Sequence, residues 1–301
     1  MVDRFVASQS DYPIRRRLSA YYECLVSTLE HKILSDLFLA RRLERAEAHA
    51  NRRFVEARAR LDPGSGATWM EAAGAYAMFD GPQSPCTQTF GLGMFGIPTN
   101  ADWERIEAFF QERAAPVFHE VSPMAPKELL GQLSDRGYRP MELTTVMFLP
   151  LAGRRDAGLD SGVRVRVLEQ SESELWARTS AEGWREFAGL SGLILDLGRV
   201  IAGREDAVSF LAEIEGHPAA AGALALHDGV ALFAGASTIP EWRNRGAQRA
   251  LLEARLDFAV RVGCGLAMMC AEPGSTSQRN AEPAGFRIAY TRIKWELYAQ
   301  F

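Results

Sequence analysis

Hydrophobic residues along the chain recur in two periods, and the switches between them divide it into helices and strands. From residue 11 to residue 61 the spacing is helical: Asp11 and Pro13 offer a start, and the run LARRLERAEAHANRRFVEARARL is dense in strong helix formers. Asp62-Pro63-Gly64-Ser65-Gly66 ends it. Residues 69–96 change to short apolar runs broken by Gly and Pro, the pattern of strands and turns. Asn100 then caps a helix carrying Trp103, Ile106, Phe109 and Phe110 at helical spacing. A strand over 117–121, a helix over 126–135 and a strand over 142–149 follow. Residues 151–162, LAGRRDAGLDSG, lose all periodicity and read as a linker.

The second half opens on an alternating strand, 163–167, and two helical stretches, 172–187 and 193–203. Three strand-like runs, 208–214, 219–226 and 230–239, are joined by Glu215-Gly216-His217-Pro218 and His227-Asp228-Gly229, which predicts an antiparallel meander. A long helix through ALLEARLDFAVRV, a strand over 265–270, a short helix after Pro273 and strand material over 286–297 complete the chain. Strand, helix, strand requires a crossover, and so a parallel pair inside an otherwise antiparallel sheet. The halves also resemble each other. Ile97-Pro98 and Ile239-Pro240 each precede a helix, and Gly137-Tyr138-Arg139 and Gly285-Phe286-Arg287 each precede a closing strand, so the chain reads as a tandem duplication.

Composition narrows the partners. A length of 301 residues allows two domains, and 47% hydrophobic with 24% charged residues is ordinary for a folded protein. A formal charge of −4 provides no basic stripe for nucleic acid. No window reaches the length of a membrane span, and the polar N-terminus lacks the apolar core of a secretion signal. Cys24, Cys86, Cys264 and Cys270 are spaced unlike metal or disulfide motifs, so no metal site is expected and the chain reads as cytoplasmic.

The segment richest in chemistry is Ile239-Pro240-Glu241-Trp242-Arg243-Asn244-Arg245-Gly246-Ala247-Gln248-Arg249. It joins a strand end to a helix start, where free N–H groups and the helix dipole favour an anion. Gly246 permits close backbone approach, and Arg243, Arg245 and Arg249 add positive charge. A solvated, arginine-rich helix start is the plainer alternative. Gly91-Leu92-Gly93-Met94-Phe95-Gly96 also satisfies the dinucleotide pattern GxGxxG, but Ile97-Pro98-Thr99-Asn100 intervenes before the helix, so a strand with close-packed glycines is expected there instead.

The Arg243 loop resembles the pyrophosphate loop of the GCN5-related N-acetyltransferases (GNATs), whose pattern Gln/Arg-x-x-Gly-x-Gly/Ala follows the fourth strand. Arg243 to Ala247 fit it, and Gln248 stands where a small residue is expected. By element order the resemblance covers residues 163–297, including Gly285-Phe286 where the family's final strands begin. It implies an α/β (α+β) fold of two GNAT-like domains, each a mixed, mostly antiparallel sheet with a splayed parallel strand pair and flanking helices. Residues 1–150 would form a degenerate copy with an N-terminal helical extension, and residues 162–301 an acetyl-CoA-binding domain. In the degenerate copy the corresponding loop, Ile97 to Asp102, has no arginine or glycine, so one cofactor site per chain is expected.

The resemblance further implies an amine attacking the acetyl-CoA thioester. Backbone of Ala236, Ser237 and Thr238 would pair with pantetheine and offer an N–H to the developing oxyanion. Arg243, Asn244, Arg245, Gly246, Ala247, Gln248 and Arg249 would hold the pyrophosphate, and Asn280 would contact the cofactor. Glu272, just after the fifth strand, is the candidate general base, or else merely a helix-start carboxylate beside Pro273. Glu241 is poorly placed, and His217 and His227 read as solvated turn residues. Many relatives carry a tyrosine acid four residues before the Gly-Phe pair, and here Ala281 occupies that position. Tyr290 is the nearest tyrosine, read either as the acid or as a residue packed in the sheet. The acceptor would be the amine of a small molecule or peptide, in a cleft formed by residues 171–206, where Trp176, Trp184, Phe187, Leu193 and Leu195 are core or line an apolar pocket. Two rivals stand beside this reading: a non-catalytic acyl-CoA sensor whose first half is a partner or homodimer surface, and a scaffold without a ligand.

Overall fold

The computed structural model describes residues 35–154, 162–187 and 189–297. The expected helix over 11–34, Cys24 and most of the expected linker lie outside them. The first described helix, α1 (Leu37–Leu61), starts where the Asp36 carboxylate accepts from the Leu39 N–H at 2.8 Å, meeting one of the unpaired first-turn donors. Strands β1 (Thr68–Ala72), β2 (Ala75–Phe79) and β3 (Gln88–Phe90) follow, then α2 (Asn100–Gln111), β4 (Phe118–Val121), α3 (Lys127–Asp135) and β5 (Tyr138–Pro150). The second half runs β6 (Val163–Val167), α4 (Ser173–Glu182), α5 (Leu190–Ala202), β7 (Ala207–Ile214), β8 (His217–His227), β9 (Val230–Thr238), α6 (Ala247–Arg261), β10 (Leu266–Ala271), α7 (Thr276–Ala281) and β11 (Arg287–Leu297).

The eleven strands of the described residues join one sheet in the order β1-β2-β3-β4-β11-β5-β10-β9-β8-β7-β6. The two separate sheets expected from the sequence are therefore one. The cause is an exchange of the closing strands: β11 lies between β4 and β5, and β5 lies between β11 and β10. These are the long strands, so each covers a strand edge that the other half leaves open. If β1 to β5 are matched with β7 to β11, the order reads alike from either end, with β6 added at one edge. The parallel pairs, β3 with β4 and β9 with β10, also correspond.

The glycine run after Phe90 is not strand. Gly91 and Gly93 have φ of 77° and 75°, and they turn the chain away from the sheet as soon as β3 ends. A Cβ on Gly93 would lie 2.6 Å from Leu129, so this turn packs directly on α3.

Strand alternation separates two faces. On β4, His119 meets Trp103 of α2, whereas the next residue, Glu120, meets Arg292 beneath α1. On β10, Ala267 packs with Leu251 and Leu256 of α6, whereas Cys270 meets Glu47 of α1. One face thus carries α2 and α6. The other carries α1, together with α4, whose buried Trp176 packs on Leu211 and Ala221. Burying each large apolar side chain contributes about 1.5–3 kcal/mol, and the α6 face has the largest such cluster, built on Phe210, Leu224, Leu251 and Leu256.

Candidate functional site

The parallel pair β9/β10 opens into a cleft. Pairing runs from Val230 opposite Leu266 to Phe233 opposite Met269 and stops there. Beyond it, Ala234 to Thr238 stay paired with β8 only, and Cys270 and Ala271 with β5 only. The two facing edges are without ladder partners. A β-bulge starts the opening: Ala221 pairs with Ser237 and Ala223 with Ala234, so Gly222 faces both Gly235 and Ala236. Gly235 takes φ of 59°, which its missing side chain allows. The Ser237 hydroxyl donates to the Ser180 carbonyl of α4 at 2.9 Å, fixing this edge from behind.

A single 3-10 turn, Pro240–Trp242, connects the free edge to α6. Asn244 and Gly246 have φ of 60° and 84°, and Gly246 is the N-cap of α6 with no side-chain cap. A Cβ built on Gly246 meets nothing within 4 Å, so the space in front of the helix is open. An uncapped N-terminus preceded by an open glycine cradle suits a diphosphate. Arg243 bonds Glu186 at 2.5 Å and the Gly183 carbonyl at 3.1 Å, and Arg245 pairs with Glu215 while stacking over Trp242. They tie the loop to its neighbours, whereas Arg249 is exposed at the helix start. Gln248 folds back, its side-chain oxygen accepting from Thr238 at 3.3 Å, so its bulk does not block the helix end.

The matching positions of the first half are closed. Thr99 and Asp102 cap α2 reciprocally, and the Thr99 hydroxyl and N–H hold the Asp102 carboxyl below the usual range. β3 also ends at Phe90, so the counterpart of the free edge Ala234 to Thr238 is the glycine turn.

Glu272 is exposed in the turn after β10, and Asn280 is exposed on α7. Glu241 pairs with Arg185. His217 is exposed beside Trp242, whereas His227 is no solvated turn residue: it is half-buried and stacked on His49 of α1 at 3.9 Å. Trp176 is core, and its indole donates to the Phe210 carbonyl at 2.9 Å. Trp184 and Phe187 meet at a tilt, with Phe187 exposed, and Leu193 and Leu195 are half-buried on α5.

Tyr290 packs in the sheet beneath α1, its hydroxyl donating to Glu44 at 2.8 Å. It belongs to a buried charge cluster that sequence reasoning missed. Arg292 bonds Glu47 at 2.6 and 3.1 Å and approaches Glu44 at 3.5 Å and Glu120 at 3.4 Å. The Cys270 thiol, at the opening of the cleft, donates to Glu47 at 3.2 Å. Burial pushes Glu44 up to about 7, with Arg292 and Tyr290 opposing and Glu47 and Glu120 adding to the rise. Burial also raises the Tyr290 hydroxyl and the Cys270 thiol well above their ordinary values, so both stay protonated at neutral pH.

This gives a pH prediction. A carboxyl with a raised folded pKa contributes stability that is full below its unfolded value, near 4.5, and is lost as pH rises through about 7. Glu44→Gln removes that titration. The stability of the variant relative to wild type should therefore rise between those pH values, by on the order of 3 kcal/mol at most. Urea melts of both proteins at several pH values check it, and a difference that is flat or falls with pH would contradict it.

A second missed residue is Arg255 of α6, 2% exposed, donating to the Leu251 and Ala223 carbonyls at 3.1 and 3.4 Å. Burial lowers its pKa to about 9. It lies directly behind the bulge: a Cβ on Gly222 would be 3.1 Å from its guanidinium carbon.

Among the described residues no group of three or more His, Cys, Asp or Glu is placed to hold a metal, and no helix is long and apolar enough to cross a membrane. No protein-family model matches the chain, and no curated protein does. Solved structures do. A GCN5-related N-acetyltransferase from Kribbella flavida aligns at TM-score 0.57 and 16% identity, over 86% of this chain and 96% of that one. A GCN5-related N-acetyltransferase from Sphaerobacter thermophilus aligns at 0.52 and 19%, over 75% and 78%. A tandem GNAT protein from the clavulanic acid biosynthesis pathway aligns at 0.51 and 15%, over 67% and 70%. The fold is therefore GNAT-like: a mixed α+β sheet shared with these enzymes at low identity.

Proposed function

We propose that the chain is an N-acetyltransferase that takes acetyl-CoA at one site, in its second half, and acetylates the amine of a small molecule or peptide. The observation that carries this reading is the continuity of the unpaired edge Ala234 to Thr238 with the uncapped, open N-terminus of α6. Bound acetyl-CoA would supply the thioester carbonyl. The chain supplies the rest. Backbone of Ala236, Ser237 and Thr238 aligns the pantetheine arm and gives an N–H to the carbonyl oxygen, an interaction worth about 3–4 kcal/mol in other acyl-transfer sites. The N–H groups of Ala247, Gln248 and Arg249, with Arg249's charge, hold the pyrophosphate, flanked by Arg243, Asn244, Arg245 and Gly246. Asn280 is proposed as a further cofactor contact. The capped α2 and truncated β3 support a first half that is a degenerate duplicate without a cofactor.

Glu272 is proposed as the group that takes the ammonium proton. Glu272→Gln should lower turnover by about 100-fold or more near neutral pH while leaving CoA affinity unchanged. Initial rates at saturating amine across a pH series check it. Equal loss of turnover and affinity would indicate a structural role, and wild-type turnover at every pH would leave water on the splayed strands as the base.

A non-catalytic acyl-CoA sensor is the second reading. It is favoured by the buried Ala281 in place of the family's tyrosine and by the engagement of Tyr290 with Glu44. Release of free thiol from acetyl-CoA with a panel of amines separates the two: amine-dependent release supports the enzyme, and CoA binding without release supports the sensor.

A further inference from the structure

The end of β9 remote from the Arg243 loop carries a cavity of about 240 Å³ between α1 and the β8–β9 turn. Its walls include Arg41, Arg42 and Arg45 of α1, Phe38, Phe95 and Asp228. Arg45 stacks over Phe95 with its guanidinium carbon 3.7 Å from the ring centre, Arg42 lies 6.0 Å from the Phe38 ring, and Arg41 donates to the Met94 carbonyl at 2.8 Å. Among the described residues none of the three arginines pairs with a carboxylate, although most other arginines of the chain do.

Three cations within two turns of one helix repel one another. They also stand near its positive end. Asp228, in the turn with φ of 45°, is the one acid among the described wall residues, so among these, three positive charges face one negative. The stacked His49 and His227 add none at neutral pH, since burial lowers both. The cavity therefore presents one guanidinium stacked on Phe95, two more beside it, an excess of positive charge and apolar walls. Guanidinium forks match carboxylate and phosphate oxygens, and the exposed Phe38 ring suits a flat apolar group.

We infer that this cavity is a second ligand site, distinct from the proposed cofactor cleft, for a small oxyanion, carboxylate or phosphate, that carries a ring. Its volume holds one small ring and its acidic group.

Calorimetry on the full chain tests this with phenyl phosphate and benzoate as probes and benzyl alcohol as the uncharged control. One saturable site is expected for at least one anion and none for the alcohol, and which anion binds more tightly identifies the oxyanion. Arg42→Glu should weaken binding by about tenfold or more, with Arg45→Gln as a second variant and thermal melts confirming that both fold. Gly246→Asp, which addresses the cofactor cleft, should leave probe binding unchanged. Binding that survives Arg42→Glu and Arg45→Gln but is lost in Gly246→Asp would place the anion at α6 and overturn the inference, as would saturation by neither anion. Because the two sites are probed by different variants, loss of one leaves the other standing.

Discussion

Gly246→Asp is expected to abolish measurable CoA binding, a loss of about 100-fold or more, while the protein remains folded. Two effects act together. The new carboxylate would occupy the space in front of α6, which a side chain can enter without a clash. There it can accept from the first N–H groups of the helix, the donors that the pyrophosphate would use. Placing Asp at φ of 84°, a conformation that aspartate tolerates better than most residues, costs about 1–2 kcal/mol, so the protein stays folded with a melting temperature lower by a few degrees. Gly246→Ala separates strain from charge, because it keeps the donors free. Calorimetric titration with CoA reads both variants, and unchanged affinity in Gly246→Asp would show that the phosphates lie elsewhere.

Arg292→Met is expected to give the largest loss of stability. Arg292 is 1% exposed and is the cation shared by Glu44, Glu47 and Glu120 between α1 and the centre of the sheet. Removing one partner of a buried charge group leaves the others desolvated and unpaired, at a cost of about 3–5 kcal/mol. For a protein of this size each kcal/mol shifts the melting temperature by about 2–4 °C. The deficit should shrink on acidification, since the stranded carboxyls then take up protons. Urea melts at pH 5 and pH 8 check both parts, and a loss below about 1 kcal/mol at both pH values would mean that the cluster carries little of the docking of α1.

The local features of this fold were legible because local chemistry decides them. The strand over 163–167, the hairpin through His227-Asp228-Gly229 and the helix start at Gly246 all follow from alternation, a two-residue turn and a glycine at a strand-to-helix junction. The exchange of β5 and β11 was not legible. Each strand has the same pattern whichever neighbour it takes, so the sequence shows two halves and leaves open whether their sheets merge. The buried charges left a fainter trace. Arg255 falls on the stripe of Leu251, Leu252, Leu256 and Ala259, and Glu44 and Glu47 on that of Leu43, Ala46 and Ala50, so helical spacing alone puts charge in the core. Part of what they meet there comes from strands far along the chain, Ala223 for Arg255, and Tyr290 and Arg292 for Glu44 and Glu47.

The exchange also bears on how the protein is handled. The second half alone would lack β5 beside β10 and β4 beside β11, so the full chain is the protein to titrate. The most direct test is calorimetric titration of CoA into that chain. Saturation at one CoA per chain is expected. No binding up to millimolar CoA, or two equivalent sites, would contradict it.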